Sequence, residues 1–262
     1  MLRLLPFLLT LCFVFTVPVD AVEDELAPLA ESISQLFNNV TPLQWGERVR
    51  GVRTQMDTTD RVLALTLDAC GSPNGKGADQ RLLDFLIREQ IPATLFINAR
   101  WIDANSELFS ALVANPLFEI ANHGTWHKPA SINGRSAYGI SGTRDPAELV
   151  REIELNARKI HTISGTRPRY YRSGTAFYDE HAVRIAQLLG HAVIGFSVLG
   201  DAGATFSARQ VTMALLTARP GDIIIAHMNH PESGTADGII AALPRLKKQG
   251  FTFVHLHAYP LR

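Results

Sequence analysis

The sequence predicts an α/β protein built as a single, distorted (β/α) barrel of about seven parallel strands. From Val62 onward, short runs rich in β-branched residues alternate with longer segments of helical period. The short runs are almost continuously apolar, which is typical of parallel strands covered by helices. About seven such units in succession favour a closed barrel, and an open doubly wound sheet is the alternative.

The chain begins with a segment that is predicted to be a secretory signal. Arg3 precedes an apolar run from Leu4 to Val17, and Val19-Asp20-Ala21 supplies small residues at the position that a signal peptidase recognises. Cys12 follows Leu11 rather than a small residue, which argues against a lipoprotein anchor. An uncleaved anchor is the alternative, because the run is near the lower limit for a membrane span. We therefore expect a periplasmic or secreted protein with no stable membrane association after signal cleavage.

Three parts are predicted along the chain: a signal peptide at 1–21, an N-terminal helix and connector at 22–60, and the barrel at 61–262. The N-terminal helix, Glu23–Phe37, is acidic and amphipathic and is expected to pack outside the barrel. The 25 basic and 25 acidic residues give no net charge, so nucleic acid is not an expected partner. Cys70 is the one cysteine outside the signal and cannot form an internal disulfide.

The barrel elements follow from the alternation of the two periods. Each strand is an apolar run bounded by polar or turn residues, and each helix is the amphipathic segment that follows. The predicted strands are Val62–Asp68, Ala93–Asn98, Phe118–Asn122, Arg169–Arg172, His191–Val198, Asp222–His227 and Phe251–His255. The predicted helices are Asp79–Gln90, Ser106–Ala114, Pro146–Ser164, Asp179–Leu189, Ala208–Ala218 and Gly238–Gln249.

Ionisable residues recur where the predicted strands end. The carboxyl ends of parallel barrel strands all open onto one face, so residues distant in sequence converge there. This convergence predicts a functional site at that face. The residues concerned are Asp68, Cys70, His123, His127, Arg172, Asp201, His227 and His230.

The spacing of His123 and His127 is typical of two ligands to one metal ion. A histidine at a strand end and a second one four residues later, on a short helical turn, can direct both imidazoles at one point. The alternative is that they are structural histidines of a turn. Asp68 directly follows an apolar run, and a carboxylate buried there needs a cation or hydrogen-bond donors. It could instead cap the next turn.

The remaining candidates each have a structural alternative. Arg172 is expected to orient a carboxylate through its planar guanidinium, or else to lie on a surface loop. Asp201 is either the partner of Arg172 or an ordinary turn residue. His227 ends the most apolar strand and is either a functional residue or a hydrogen-bonded core histidine. Asp79 is expected to cap the helix that follows it, with a detached metal ligand as the alternative, and His230 is expected to lie in a loop.

The chain resembles the polysaccharide deacetylases, the carbohydrate esterases that share the rhizobial nodulation-factor deacetylase domain. The resemblance covers about residues 60–257 and includes the motifs in the family's order. The first motif, Thr-Phe-Asp-Asp-Gly, appears as Thr66-Leu67-Asp68-Ala69-Cys70, and His-x-x-x-His is His123 to His127. The third, an aromatic residue and Arg, is Tyr171-Arg172, with Ser173 in place of the usual Pro. The fifth, an apolar residue two positions before His, is Ile225-Ala226-His227.

This resemblance implies a metal-dependent hydrolase that removes N-acetyl groups from a cell-wall or extracellular polysaccharide or oligosaccharide. Asp68 matches the general base and Arg172 the residue that tethers it. His123 and His127 match the metal ligands, and His227 matches the general acid. The metal is expected to be zinc or another divalent transition metal. A backbone N–H after Tyr171 is expected to stabilise the oxyanion, and either Trp126 or Tyr171 to contact the acetyl methyl group, unless both only pack.

The chain departs from the family at Ala69, which stands where the family has its metal-binding Asp. Asp68 could move into the metal shell, or Cys70 could supply a thiolate, which suits zinc. The third outcome is a site without metal that binds sugars and does not turn them over. We expect a retained metal held by His123, His127 and Asp68. A non-catalytic glycan-binding protein, and a hydrolase of another amide or an O-acetyl ester, are the alternative functions.

Overall fold

The computed structural model describes residues 19–262, with side chains described from residue 25 onward, and shows an α/β fold with a curled, barrel-like parallel sheet. Residues 1–18 of the predicted signal, which include Cys12, lie outside the described residues. The strands are β1 Val62–Ala69, β2 Ala93–Ile97, β3 Phe118–Asn122, β4 Tyr170–Tyr171, β5 Ala192–Val193, β6 Val198–Leu199, β7 Ile223–His227 and β8 Thr252–Phe253. The α-helices are α1 Val19–Leu36, α2 Gln80–Arg88, α3 Ala99–Ala104, α4 Ser106–Ala114, α5 Pro146–Ser164, α6 Glu180–Leu188, α7 Ala208–Leu215 and α8 Thr235–Lys248.

Strand β1 lies in the interior of the sheet, between β2 and β7. The order of the strands is β5-β4-β3-β2-β1-β7-β6, and β8 pairs with the start of β1. All pairings between these strands are parallel. Asp68 pairs with His227 across β1 and β7, and Asn122 pairs with Tyr171 across β3 and β4. The strand ends that were predicted from the sequence to carry the site therefore lie side by side.

The two outer strands of the sheet, β5 and β6, belong to one stretch of chain. Ala192–Val193 pairs with β4, and Val198–Leu199 pairs with β7, so the residues between them connect the two edges. The prediction of one continuous strand from His191 to Val198 is wrong for this reason. A Cβ atom on Gly195 would lie 2.9 Å from Cγ1 of Val52, so a side chain at this position would crowd the connector that packs against it.

The core has an outer and an inner layer. Leu63, Leu65, Leu67 and Ala69 of β1 point outward and pack in the cluster that includes residues of α2 and α8. On the inner side, Ala64 packs with Phe96, Ala121, Ile194 and other residues in the barrel interior. This alternation is the ordinary property of a strand, whose successive side chains point to opposite faces.

Helix α1 of the N-terminal segment packs on the outside of the barrel. Helix α1 lies along α5, and Arg158 binds Glu25 at 2.7 Å. The connector reaches the carboxyl end of the sheet, where the backbones of Gly46 and Tyr178 are hydrogen bonded to each other. Among residues 19–262, no helix has the length and hydropathy of a membrane span.

Candidate active site

Asp68 and Arg172 form a fully buried ion pair inside the barrel. Nη1 of Arg172 donates to Oδ1 of Asp68 at 2.7 Å and to Oγ1 of Thr66 at 3.0 Å. The other donors of the guanidinium bind the carbonyl oxygens of Ile194 (3.2 Å) and Gly195 (2.9 Å), at the bend between β5 and β6. The contact between Arg172 and Asp68 that the resemblance implies is therefore present. Because the guanidinium also holds the bend, Arg172 links the carboxylate to the segment that joins the two edge strands.

His123 presents one ring nitrogen to the centre of the site. Its Nδ1 lies 3.0 Å from the carbonyl oxygen of Arg172, which can only accept, so Nδ1 carries a proton. In the neutral ring, Nε2 then offers its lone pair, as a metal ligand does. Nε2 lies 3.7 Å from Oδ2 of Asp68 and 3.8 Å from Sγ of Cys70.

His127 reaches the same place by a route that the sequence prediction missed. The expected helical turn is wrong: residues 123–129 form a bend and irregular chain, and His127 has a φ of 63°. The rings of His123 and His127 are nearly perpendicular, with their centroids 4.9 Å apart. Nε2 of His127 is buried and has no hydrogen-bond partner among the described residues.

Glu152 of α5 supports the loop that carries His127. Its carboxylate accepts the backbone N–H groups of Trp126 at 2.8 Å and Lys128 at 3.1 Å. Gly124 has a φ of +74°, and a Cβ there would lie 2.2 Å from Oε1 of Glu152. Burial raises the pKa of Glu152 to about 7, although these two N–H groups lower it. The loop therefore depends on a carboxylate about 25 residues away in sequence.

Glu152 was not predicted from the sequence, although the sequence contains a signal for it. Glu152 and Asn156 fall on the same helical stripe as the buried Leu149 and Ile160. A polar residue at a core position of a helix needs a partner inside the protein. Asn156 confirms this rule, since it binds the side chain of Asn122 at 2.7 Å.

Cys70 is buried at the centre of a group of histidines. Its Sγ and the ring nitrogens of His123 and His127 all lie within 4.8 Å of one another. Burial alone would raise the pKa of the thiol, but the imidazoles of His127, His123 and His227 around it lower that pKa well below its usual range. A lowered pKa favours the thiolate, which is the form that binds metals.

This donor set fits a divalent transition metal. Cysteine sulfur and histidine nitrogen are common ligands of zinc, and three protein ligands with one open position are typical of catalytic sites. Among residues 19–262, the set of Cys70, His123 and His127 is the one group of three potential ligands this close together. Asp68 lies beside it, with one oxygen bound to Arg172, and its role as a ligand stays a prediction.

His227 forms a second pair, with the buried Asp201, and is itself partly buried. Oδ1 of Asp201 lies 2.9 Å from Nδ1 of His227, and Oδ2 accepts the backbone N–H of His227 and the hydroxyl of Thr235. The expected pairing of Asp201 with Arg172 is wrong, and so is the alternative of an ordinary turn residue. Burial alone would lower the pKa of His227, but the charge and hydrogen bond of Asp201 raise it well above its ordinary value.

The other sequence predictions have mixed outcomes. Asp79 caps α2 by accepting the N–H of Leu82, as expected. His230 lies in a loop, where it binds Glu232. Tyr171 is fully buried in the core, whereas Trp126 is partly exposed. The backbone N–H groups of residues 172–174 bind Asn122, Tyr178 and Lys128, so none of the three is free to stabilise an oxyanion.

The loop that follows His127 is tied to α5 by Glu148. Its carboxylate binds the ammonium group of Lys128 and the side chain of Arg144. Burial alone would raise the pKa of Glu148, but these hydrogen bonds lower it from 4.5 to about 2. Since the folded-state pKa lies below that of the unfolded chain, the ionised carboxylate stabilises the protein above pH 4.5. That stabilisation is lost as the pH falls toward 2.

Replacing Glu148 with Gln is expected to lower the free energy of unfolding at pH 7 by about 1–2 kcal/mol, after a discount for the solvent exposure of Arg144. Urea unfolding at pH 7 and pH 3 measures the loss, which should be smaller at pH 3. The exposed Glu89→Gln is the control and should change little. An equal loss at both pH values would contradict the electrostatic origin.

Comparison with known proteins places this geometry in a known fold. The sequence profile described as polysaccharide deacetylase matches residues 55–194. A chitooligosaccharide deacetylase of Bradyrhizobium sp. (strain ANU 289) is 25% identical over 193 residues, which cover 68% of this chain and 81% of the relative. A bifunctional xylanase/deacetylase of Pseudobutyrivibrio xylanivorans is 24% identical over 205 residues, 78% of this chain but 31% of that protein.

Solved structures show the same fold. PdaA of Bacillus subtilis, a family 4 carbohydrate esterase, has a TM-score of 0.64 and 19% identity, with 88% of each chain covered. A pseudoenzyme of the same esterase family from Bacillus anthracis also has a TM-score of 0.64, at 18% identity, with 85% of this chain and 70% of that chain covered. A mutant of that pseudoenzyme is described as having restored enzymatic activity. The fold alone therefore does not decide whether a site turns over substrate.

Proposed function

This chain belongs to the polysaccharide deacetylase family, and we propose that it is a metal-dependent hydrolase that removes N-acetyl groups from a cell-wall or extracellular glycan. One observation carries the proposal. A buried carboxylate held by Arg172 lies 3.7 Å from His123 of the histidine pair, and a partly buried imidazole held by Asp201 is its neighbour on the adjacent strand. A base, an acid and candidate metal ligands thus meet at the carboxyl ends of the strands. The chitooligosaccharide deacetylase among the relatives supports this class of substrate.

Asp68 is assigned the general base. A bound divalent metal would polarise the acetyl carbonyl and lower the pKa of water. Oδ1 of Asp68 is fixed by Arg172, whereas Oδ2 lies 3.7 Å from Nε2 of His123 and can take the proton of an attacking water. The guanidinium also keeps the carboxylate in place as its proton arrives, since it retains its bonds to Ile194 and Gly195.

His227 is assigned the general acid. Its Nδ1–H is donated to Asp201, so Nε2 is the nitrogen that gives a proton to the leaving amine. The raised pKa of this ring, caused by Asp201, keeps it protonated at neutral pH, which the acid needs. Activity should therefore persist in mildly alkaline solution and fall as the pH rises through the pKa of His227.

Replacing Asp201 with Asn is expected to lower kcat by about 100-fold. An amide lacks the negative charge, so the pKa of His227 falls and the alkaline limb of the pH profile moves to lower pH. A pH series of kcat measures both effects, and the exposed Asp237→Asn should leave the profile unchanged. A variant that lost activity without any displacement of the alkaline limb would contradict the role of Asp201.

Aromatic side chains beside the site support a sugar substrate. The ring of Phe177 packs against Trp45, with the centroids 5.8 Å apart, and against Tyr138, at 5.3 Å. Phe177 and Tyr138 lie in the loops after β4 and β3, at the same end of the sheet as the site, and Tyr138 is largely exposed. Aromatic faces combined with a few polar groups are typical of ligand sites of this kind.

Export to the periplasm or the outside of the cell is the second part of the proposal. It rests on the basic and apolar segment at 1–21. A glycan of the cell wall or the surroundings is the substrate that a protein at that location would meet. Mass analysis of the protein recovered from producing cells tests it, with a mature chain beginning near residue 22 as the expected result.

The proposed activity is tested by metal analysis together with acetate release. The purified protein is expected to hold one zinc per chain and to release acetate from chitooligosaccharides or peptidoglycan. Chelation should stop the release, and added zinc should restore it. Acetate from acetylated xylan alone would identify an O-acetyl esterase. A protein without metal or activity that still binds glycan would be a binding protein, and the proposal would be wrong.

A further inference from the structure

We infer that Cys70 is the third protein ligand of the metal, as a thiolate beside His123 and His127. The inference rests on the proposed function, because the metal is the one that the hydrolase would use. It replaces the carboxylate ligand expected from the resemblance with a sulfur ligand one position further along the chain, and it leaves Asp68 free to act as the base.

The alternation of β1 decides which of its residues can reach the metal. Thr66 and Asp68 point inward, where both bind Arg172. Ala69 points outward and packs with Leu67 in the cluster beneath the helices. Cys70 is two residues beyond Asp68 and lies inside, next to His123. In this chain, position 70 presents a donor atom to the site and position 69 does not.

The distances are close to those that a zinc site requires. With a Zn–S bond of about 2.3 Å and a Zn–N bond of about 2.0–2.1 Å, tetrahedral geometry separates sulfur from nitrogen by about 3.6 Å. Sγ of Cys70 lies 3.8 Å from Nε2 of His123, and no pair of the three donor atoms is more than 4.8 Å apart. Small side-chain movements are sufficient to bring all three donors onto one ion.

Both histidines have a nitrogen available for this ion. The Nδ1 proton of His123 is donated to the carbonyl of Arg172, which directs the Nε2 lone pair toward Cys70. Nε2 of His127 is buried without a partner, an arrangement that costs free energy unless something binds it. A metal held jointly with Cys70 would satisfy that nitrogen.

A thiolate ligand changes which metals the site prefers. Sulfur favours zinc and cobalt, whereas carboxylate and water favour magnesium, calcium and manganese. We therefore expect the protein to bind zinc and cobalt, and to bind magnesium and manganese far more weakly.

Cobalt substitution tests the inference without relying on activity. A cobalt(II) ion bound to a thiolate absorbs in the near ultraviolet through sulfur-to-metal charge transfer. The wild type loaded with one cobalt ion should show this band, and Cys70→Ser and Cys70→Asp should lack it. Met228 is a buried sulfur residue next to His227, and Met228→Leu is the matched control that should keep the band.

The outcomes separate this inference from the proposed function. Bound cobalt without the band in the wild type overturns ligation by Cys70, and acetate release would still support the hydrolase. The band without acetate release on any substrate supports ligation and counts against the hydrolase. A wild type that binds neither zinc nor cobalt overturns both.

A second measurement needs no variant, in case Cys70→Ser does not fold. Alkylation of Cys70 in the wild type, located by peptide mass analysis, should be at least about 10-fold slower with zinc and return to its original rate after chelation. An alkylation rate that does not depend on zinc would show that Cys70 is not a ligand.

Discussion

Replacing Arg172 with Met is expected to lower the free energy of unfolding by about 3–5 kcal/mol, because the variant leaves the carboxylate of Asp68 buried without its counter-ion. The loss extends beyond this ion pair. The hydroxyl of Thr66 and the carbonyl oxygens of Ile194 and Gly195 lose a donor at the same time. The guanidinium also lies 4.1 Å from the ring centroid of Phe96. Met would keep the dispersion part of this contact and lose the cation–π attraction.

Urea unfolding of the metal-free protein measures this loss without the contribution of a ligand. The exposed Arg169→Met, three residues earlier, is the control and should change stability by less than about 0.5 kcal/mol. A second substitution identifies the cause. If the stranded charge is responsible, adding Asp68→Asn to Arg172→Met should recover about 2 kcal/mol. A double variant no more stable than Arg172→Met would point to the lost carbonyl contacts instead.

The sequence predicts the fold best where the determinants are local. Helix α5 runs from Pro146 to Ser164 as expected, since Asp145 caps its start and Gly165 ends it in a left-handed conformation. Strand β3 also has its predicted bounds, Phe118–Asn122. The bend at Gly195 was not predicted, because it depends on Val52 and Arg172, which are distant in sequence. Helix α3 was missed because its six residues are too few for a periodic pattern.

In the candidate site, too, the local features were predictable and the long-range contacts were not. The ends of parallel strands are predictable from sequence, and this rule identified Asp68, His123, Arg172 and His227. The choice of partner is not predictable in this way. Asp201 binds His227 rather than Arg172, because β6 lies next to β7 in the sheet. Such a neighbour relationship depends on the order of strands in the sheet, which the pattern of a single strand does not contain.

Replacing His127 with Ala is expected to abolish zinc binding and to reduce acetate release by at least about 1,000-fold, since two protein donors cannot hold the ion in place. The folded protein without metal should tolerate the change. Nε2 of His127 has no partner in the described chain, so its removal leaves no donor or acceptor unpaired. His127→Asn is a second variant suited to the φ of 63°, because asparagine tolerates left-handed backbone better than most residues.

Stability as a function of zinc distinguishes loss of a ligand from loss of structure. A metal that binds only the folded state stabilises it by about 2.7 kcal/mol at 100 times its Kd. The wild type and the exposed His161→Ala should show this gain in thermal unfolding, and both His127 variants should not. Without zinc, the wild type, His161→Ala and His127→Asn should unfold at similar temperatures, and His127→Ala somewhat lower because alanine is disfavoured at a φ of 63°. A His127 variant that kept both the stabilisation by zinc and the acetate release would show that the histidine pair does not hold the metal. The reason is that loss of one of three ligands should weaken zinc binding.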